Sequence, residues 1–277
     1  MQEVTNYYDS RSEIAYPNIS PPATHIYLTA NFTYSYQSER SKDLDGVSIP
    51  YGKITASAGP NFVQIDHTGD AVNIHGRPDG KAMTAYSNGS YIKVPQFFNI
   101  KNKATDEWTA KPAQELSLVS EMSGQLVEVA LTFDKPYSYE ELQSMLPANL
   151  KQNWFWLGTY SDYNVVDMDV SNLFGFQVMK GDLQYSFEIF RSKLPEALTD
   201  KYGHITIGTS KGEVYSSKKE LEHIHKTYQK AEDCKFSGVI LTGKAENFAQ
   251  LENQDWIYAS SIGASTLNQP YYQLDKE

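Results

Sequence analysis

Two stretches decide how this chain folds. Val127-Glu-Val-Ala-Leu-Thr-Phe-Asp-Lys-Pro136 is followed by a short helical phrase and then by Asn153-Trp-Phe-Trp-Leu-Gly-Thr-Tyr160. Gly238-Val-Ile-Leu-Thr-Gly-Lys244 is followed by a second helical phrase and Asp255-Trp-Ile-Tyr-Ala-Ser-Ser-Ile-Gly-Ala264. Each reads as strand, helix, strand. Ser138 and Glu141 form a capping-box signature, with Ser138 taking an orphan helix N–H and Glu141 reaching back. Leu142, Met145 and Leu146 give that helix one apolar face, and Pro147 helps to end it. Two such units are the halves of a ferredoxin-like, split-βαβ sheet. The second is compressed, and residues 162–235 fall between the units as an insertion. Internal duplication and the ordinary likeness of any two βαβ units both account for the similarity.

Outward from this core the pattern changes. Residues 1–23 are polar and punctuated, ending in Pro17-Asn18-Ile19-Ser20-Pro21-Pro22, and read as an irregular lead-in. Residues 25–36, 47–57, 61–66 and 71–75 read as short strands, rich in Tyr, Thr, Phe and Ile. Pro78-Asp79-Gly80 is a turn. Asn88-Gly89 is a hairpin signal between strands at 82–87 and 90–94, because a tight hairpin turn needs positive φ at both central residues. Residues 112–120 read as a helix, and Ser123-Gly124 breaks the chain. Within the insertion, 173–178 and 184–190 read as strands. Ser217 and Glu220 suggest a second capping box, opening a helix that carries Leu221, Ile224, Tyr228 and Ala231. A strand at 239–241, a helix near 246–251 and a strand at 256–262 close the chain. The expected class is α+β. An antiparallel, β-rich unit spans 24–122, and the ferredoxin-like unit spans 125–277.

Bulk properties narrow the chemistry. The 277 residues carry a formal charge of −10, which opposes binding to nucleic acid. The composition, 40% hydrophobic with 20 tyrosines and 12 phenylalanines, is that of a folded protein. Cys234 stands alone, so neither an internal disulfide nor a Cys-rich zinc site can form. No run of 18 apolar residues and no signal peptide is present.

The search for chemistry finds little. His223 and His225 point about 200° apart on a helix, so they cannot share one metal. His67 and His75 lie near Asp66, Asp70 and Asp79, a set whose ligand types suit zinc, manganese or a hydrolase, but such clusters more often serve turn formation. Asp162, Asp167 and Asp169 lack the glycine and closing glutamate of an EF-hand loop. No nucleophile elbow, phosphate-binding loop or zinc-protease motif occurs. The reading is therefore of a non-enzyme, with no catalytic residue, no cofactor and no metal. Trp154, Trp156 and Tyr160 have even spacing on one strand and share a face. With Trp256 they are the candidate contacts for a ligand or partner, against the alternative that these rings build the core.

Residues 129–138, Asn153-Trp-Phe-Trp156, Phe174-Gly-Phe176, Gly238–Lys244 and Ala259–Ser265 together resemble the sigma factor regulator C-terminal domain family, across about residues 125–265. The resemblance implies the extracytoplasmic region of a membrane-bound anti-sigma factor from a Gram-positive bacterium. It would control an extracytoplasmic-function (ECF) sigma factor and sense the state of the cell envelope. It implies a membrane helix just upstream of Gln2, and before that a cytoplasmic segment, absent from this chain, that binds the sigma factor. An envelope or membrane protein is the implied partner outside. The family supplies no catalytic residues. The rival expectation is an envelope glycan- or peptide-binding module with no signalling role.

Overall fold

The computed structural model describes residues 1–30, 32–76, 83–87, 92–102, 112–166, 168–209 and 212–276. Helix α1 (Gln2–Ile14) leads into four strands, β1 (Ser20–Ala30), β2 (Thr33–Leu44), β3 (Val47–Gly59) and β4 (Phe62–Asp66). They form an antiparallel sheet in sequence order. A small hairpin, β5 (Asn73–Gly76) with β6 (Met83–Ser87), follows, then the single helical turn α2 (Leu116–Val119). The second half contains β7 (Gln125–Ser138), α3 (Tyr139–Met145), β8 (Lys151–Trp156), β9 (Gly175–Phe176), α4 (Leu183–Thr199), the hairpin β10 (Thr206–Thr209) and β11 (Gly212–Ser216), α5 (Ser217–Thr227), β12 (Lys235–Lys244), a 3-10 helix Ala245–Leu251, and β13 (Ile257–Leu267).

The five-stranded sheet has the order β13-β7-β12-β8-β9, antiparallel throughout. β7 and β8 run parallel but are not neighbours, because β12 lies between them and opposes both. This is the split-βαβ arrangement that the two phrases predicted. The strands of the two units are therefore interleaved, and neither unit holds a sheet by itself. Side chains alternate across the pleat. Val127, Val129, Leu131 and Phe155 face the core that α3, α4, α5 and the Ala245–Leu251 helix cover. Ala130, Trp154, Trp156 and Ile240 face the opposite side, where loop residues Phe97, Val165 and Met168 cover them.

Several expectations need correction. Residues 2–14 are helical, not irregular. Val4, Tyr7, Tyr8, Arg11 and Ile14 recur at three- and four-residue spacing and are buried, a stripe easily missed beside the proline-rich stretch that follows. The strand expected at 25–36 is two strands, β1 and β2, reversing near Phe32 at φ 61°. Residues 184–190 belong to α4. Phe187, Phe190, Leu194 and Ala197 are buried at helical spacing, and aromatic content outweighed periodicity in the strand reading. The strand expected at 173–178 shortens to Gly175–Phe176, and the helix at 112–120 to one turn. The turns at 78–80 and 88–89 lie outside the described residues.

The first capping box is present as expected at Ser138 and Glu141. The second is not. Ser216, one residue earlier, caps α5 by accepting from the Lys219 N–H. Glu220 does not turn back to the cap. It is buried and accepts from the Thr159 hydroxyl and the Tyr160 N–H, at 2.5 and 3.0 Å, pinning the loop after β8 to α5. Burial pushes its carboxyl up to about 7, and the two donors act in the opposite sense. A carboxyl whose pKa is raised by folding contributes stability that is present at low pH and lost as pH rises through the folded value. Glu220→Gln keeps an acceptor and removes the charge. The variant is expected to be more stable than its parent at pH 8, on the order of 2 kcal/mol, with the advantage vanishing near pH 4.5. Urea midpoints of the two proteins across this range check it. Taking the difference between them removes the contribution of Asp45, which burial and Asp275 push up to about 6.

Candidate functional site at the junction of the two halves

The end of β2 lies on the face of the five-stranded sheet opposite its helices, and the seam between them is polar. Lys42 Nζ lies 2.7 and 2.8 Å from the two carboxylate oxygens of Glu128 on β7. The two side chains are 1% and 0% exposed. Asn18 Nδ2 and the Ala264 N–H donate to the same carboxylate, at 2.9 and 3.1 Å. Asn153 donates to Asn18 Oδ1, and Thr242 donates to Asn153 Oδ1. The Asp45 N–H, at the β2–β3 turn, donates to Thr242 Oγ1. One chain of bonds therefore joins β2 and the Asn18 loop to β7, β8, β12 and β13. Gly263 makes room for it, since a Cβ there would lie 2.3 Å from the Glu128 carboxylate.

Two more cations enter the same region. Arg40, on the same face of β2 as Lys42, pairs with buried Asp70, which also accepts from the Tyr16 hydroxyl. The Tyr51 ring lies 5.1 Å from the Arg40 guanidinium and 5.3 Å from the Lys42 ammonium. Arg11 of α1 is fully buried. It donates to the Ser171 carbonyl, lies 3.6 Å from Asp200, and sits over the Phe174 ring. Taking these charges out of water costs several kcal/mol each, so the partners must stay in place. Burial pulls the Lys42 ammonium below the usual lysine range, and Glu128 pulls it back up.

A cavity of about 350 Å³ opens beside the seam, between the end of α1, β8, β9 and α4. Tyr16, Trp154 and Phe176 line it, and Glu13, Asn18, Asp43, Asn153 and Gln177 are among its polar residues. Asp43 is held by Lys151. The Glu13 carboxylate has no hydrogen bond or ion pair among the described residues, and burial raises its pKa, helped by Asp9 and opposed by Lys193. The lining is rich in acceptors and edged by aromatic rings, which suits a small polar ligand.

The aromatic candidates do not form one surface. Trp154 and Trp156 share a face of β8 as expected, but they are 3% and 2% exposed and pack against Phe97. They belong to the core rather than to an open binding platform, and Trp154 alone borders the cavity. Tyr160 lies beyond the end of β8, half-buried, stacked on Tyr215, with its hydroxyl accepting from the Ser216 N–H. Trp256 is half-buried against the core on the other side of the sheet, beside Phe133. The carboxylates and imidazole considered for hydrolysis point to separate partners. Asp66 holds Thr68, His67 faces the Tyr7 hydroxyl, and Asp70 holds Arg40. The His75 side chain, Asp79 and Asp167 lie outside the described residues. Among the described residues no group of three or more His, Cys, Asp or Glu is placed to hold a metal.

The family model described as "sigma factor regulator C-terminal" matches residues 119–264, and the chain belongs to that family. The match runs from the end of α2 to β13 and takes in the five-stranded sheet with its insertion. The family links the chain to transcription regulation through a sigma factor. No curated protein and no solved structure matches it. Among the described residues no helix is long and apolar enough to cross a membrane.

The seam residues escaped the sequence reading, although Glu128 carries a signal: it is a lone charge within Leu126-Val-Glu-Val-Ala-Leu131. Lys42→Met alone or Glu128→Gln alone is expected to destabilise the protein by about 3–5 kcal/mol, because each leaves a buried group without its partner. The double variant removes both charges and keeps an acceptor for one of the two N–H donors, Asn18 Nδ2 or Ala264 N–H, which bond to different oxygens of Glu128. It should recover a large part of that loss, which a double-mutant cycle in urea measures.

Proposed function

We propose that this chain is the extracytoplasmic sensing region of a membrane-bound anti-sigma factor of a Gram-positive bacterium, controlling an ECF-type sigma factor. A cytoplasmic segment outside this chain would hold the sigma factor. An envelope or membrane protein, or an envelope component, would act on the region described above. The role is non-enzymatic and needs no cofactor. Residues 24–122 and 125–277 serve as its two units, and the charged seam makes them move as one body.

The position of α1 is the observation that supports this reading. Its first turns pack on the N-terminal sheet through Val4, Tyr7 and Tyr8. Its last turn enters the C-terminal core through Ile14, with Arg11 beside it. A helix locked into both units at once transmits any change in their relation to the chain that precedes it. Signalling then requires a ligand or partner that favours one of two states of this body. The alternative, a glycan- or peptide-binding module without signalling, draws support from the cavity beside Trp154. Of the four aromatic candidates, Trp154 at the cavity edge and the half-buried Tyr160 and Trp256 keep a place in that proposal.

The test uses the full-length protein in cells carrying a reporter driven by the sigma factor. Glu222 is exposed on α5, and Cys234 is buried. Glu222→Cys should therefore react with a membrane-impermeant thiol reagent in intact cells, while the parent does not. Arg11→Gln leaves the buried Asp200 carboxylate without its charged partner and loosens α1 from the C-terminal unit, so it should shift reporter output in unstressed cells when compared at matched amounts of protein. Labelling only after permeabilisation would contradict the location, and unchanged output would contradict the role given to α1.

A further inference from the structure

From Ile14 to Ser38 the chain contains no Asp, Glu, Lys or Arg, although 21% of the whole sequence is charged. Within this stretch, residues from 20 onward form β1, the turn and the first half of β2, the free end of the β1–β2 arm. β1 is an outer strand of its sheet, paired only with β2 among the described residues. Large apolar side chains stand in water along it. Leu28 is 59% exposed and Phe32, at the tip, is 77% exposed. Ile26, Tyr27 and Tyr34 are also exposed. The register pairs Ile26 with Tyr36 and Leu28 with Tyr34, so these share one face, and Tyr27 projects from the other. Monomeric proteins rarely leave such a patch bare without a use for it.

We infer that the tip of the β1–β2 arm docks into the interfacial layer of a lipid bilayer. A protein partner seated on one face would leave the other face wet, whereas a bilayer interface surrounds both. Tyr side chains are enriched in that layer, and exposed Leu and Phe bury apolar surface there. It is also hydrated enough to satisfy the free edge of β1, as the hydrocarbon interior is not. The direction of α1 agrees. Met1 and Val4 belong to the cluster that reaches Ala58 and Val63, the register partners at the level of Tyr34, while Ile14 lies in the C-terminal core. The helix therefore begins at the arm's end of the molecule. This orientation rests on the proposed function; the patch itself does not. With a net charge of −10 the body is repelled by anionic lipid, so attraction must come from the neutral tip.

Flotation of the chain with phosphatidylcholine vesicles tests the inference without reference to any sigma factor. Expected are co-flotation that persists in high salt, weakening when anionic phosphatidylglycerol is added at low salt, and partition about tenfold weaker for Leu28→Glu or Phe32→Glu. Both side chains are exposed, so the variants should keep the parent's circular dichroism and urea midpoint. Phe32→Trp should show blue-shifted emission on vesicles and quenching by brominated lipid. A parent that does not float, or a glutamate variant that floats equally well, overturns the inference. So does a parent that floats with no vesicle but self-associates through β1, with the glutamate variants dissociating it; the arm would then be an interface between copies.

Discussion

The buried pair of Lys42 and Glu128 is the constraint on which the rest of the molecule depends. It joins a strand of the first sheet to a central strand of the second, where neither charge reaches water. Such a pair adds little net stability over well-packed apolar side chains of the same size, but it penalises any arrangement that separates its members. Its value here is in register. Asn18, Asn153, Thr242 and the Ala264 N–H converge on the same seam. β2 can therefore meet β7 in one position only, and a slip by one residue would turn Lys42 away from Glu128.

From that fixed docking follow the other features of the junction. With β2 placed, α1 packs along the first sheet and delivers Arg11 to Ser171 and Asp200 on the second unit. The cavity beside Glu13 and Trp154 is bounded by elements of both units, so its shape depends on their relation. A ligand that filled it, or a partner that bore on either sheet, would act on α1 as well. The proposed sensing would come from one coupled body.

The sheet of the second unit was legible in the sequence because its signals are local. Apolar runs, the Ser138–Glu141 cap and the two tryptophan-bearing strands each read out over a few residues, and the split-βαβ topology follows from their order. In the first unit β3 and β4 were read close to their observed bounds, but the single strand read at 25–36 merges β1 with the start of β2 and leaves out residues 37–44, which carry Arg40 and Lys42. Failures came where two signals competed. Phe187 and Phe190 suggested a strand by composition and a helix by spacing, and spacing prevailed once α5 and the sheet were present to cover that face. The prolines after α1 hid its helical stripe. At the candidate site the limits are of another kind. Lys42 and Glu128 lie 86 positions apart, and nothing local marks them as partners. Trp154 and Trp156 do announce a shared face, but only the loop that brings Phe97 over them makes that face interior.

Native-state hydrogen exchange measures most directly whether the two units form one body. Amides in the middle of β3, such as Ile54, should open with the same free energy as those of Val129 in β7 and Ile240 in β12, and should follow them in proportion as urea is added. If the β3 amides instead exchange through a smaller opening that leaves β7 and β12 protected, the first sheet unfolds by itself. The seam would then not bind the two units into one cooperative structure.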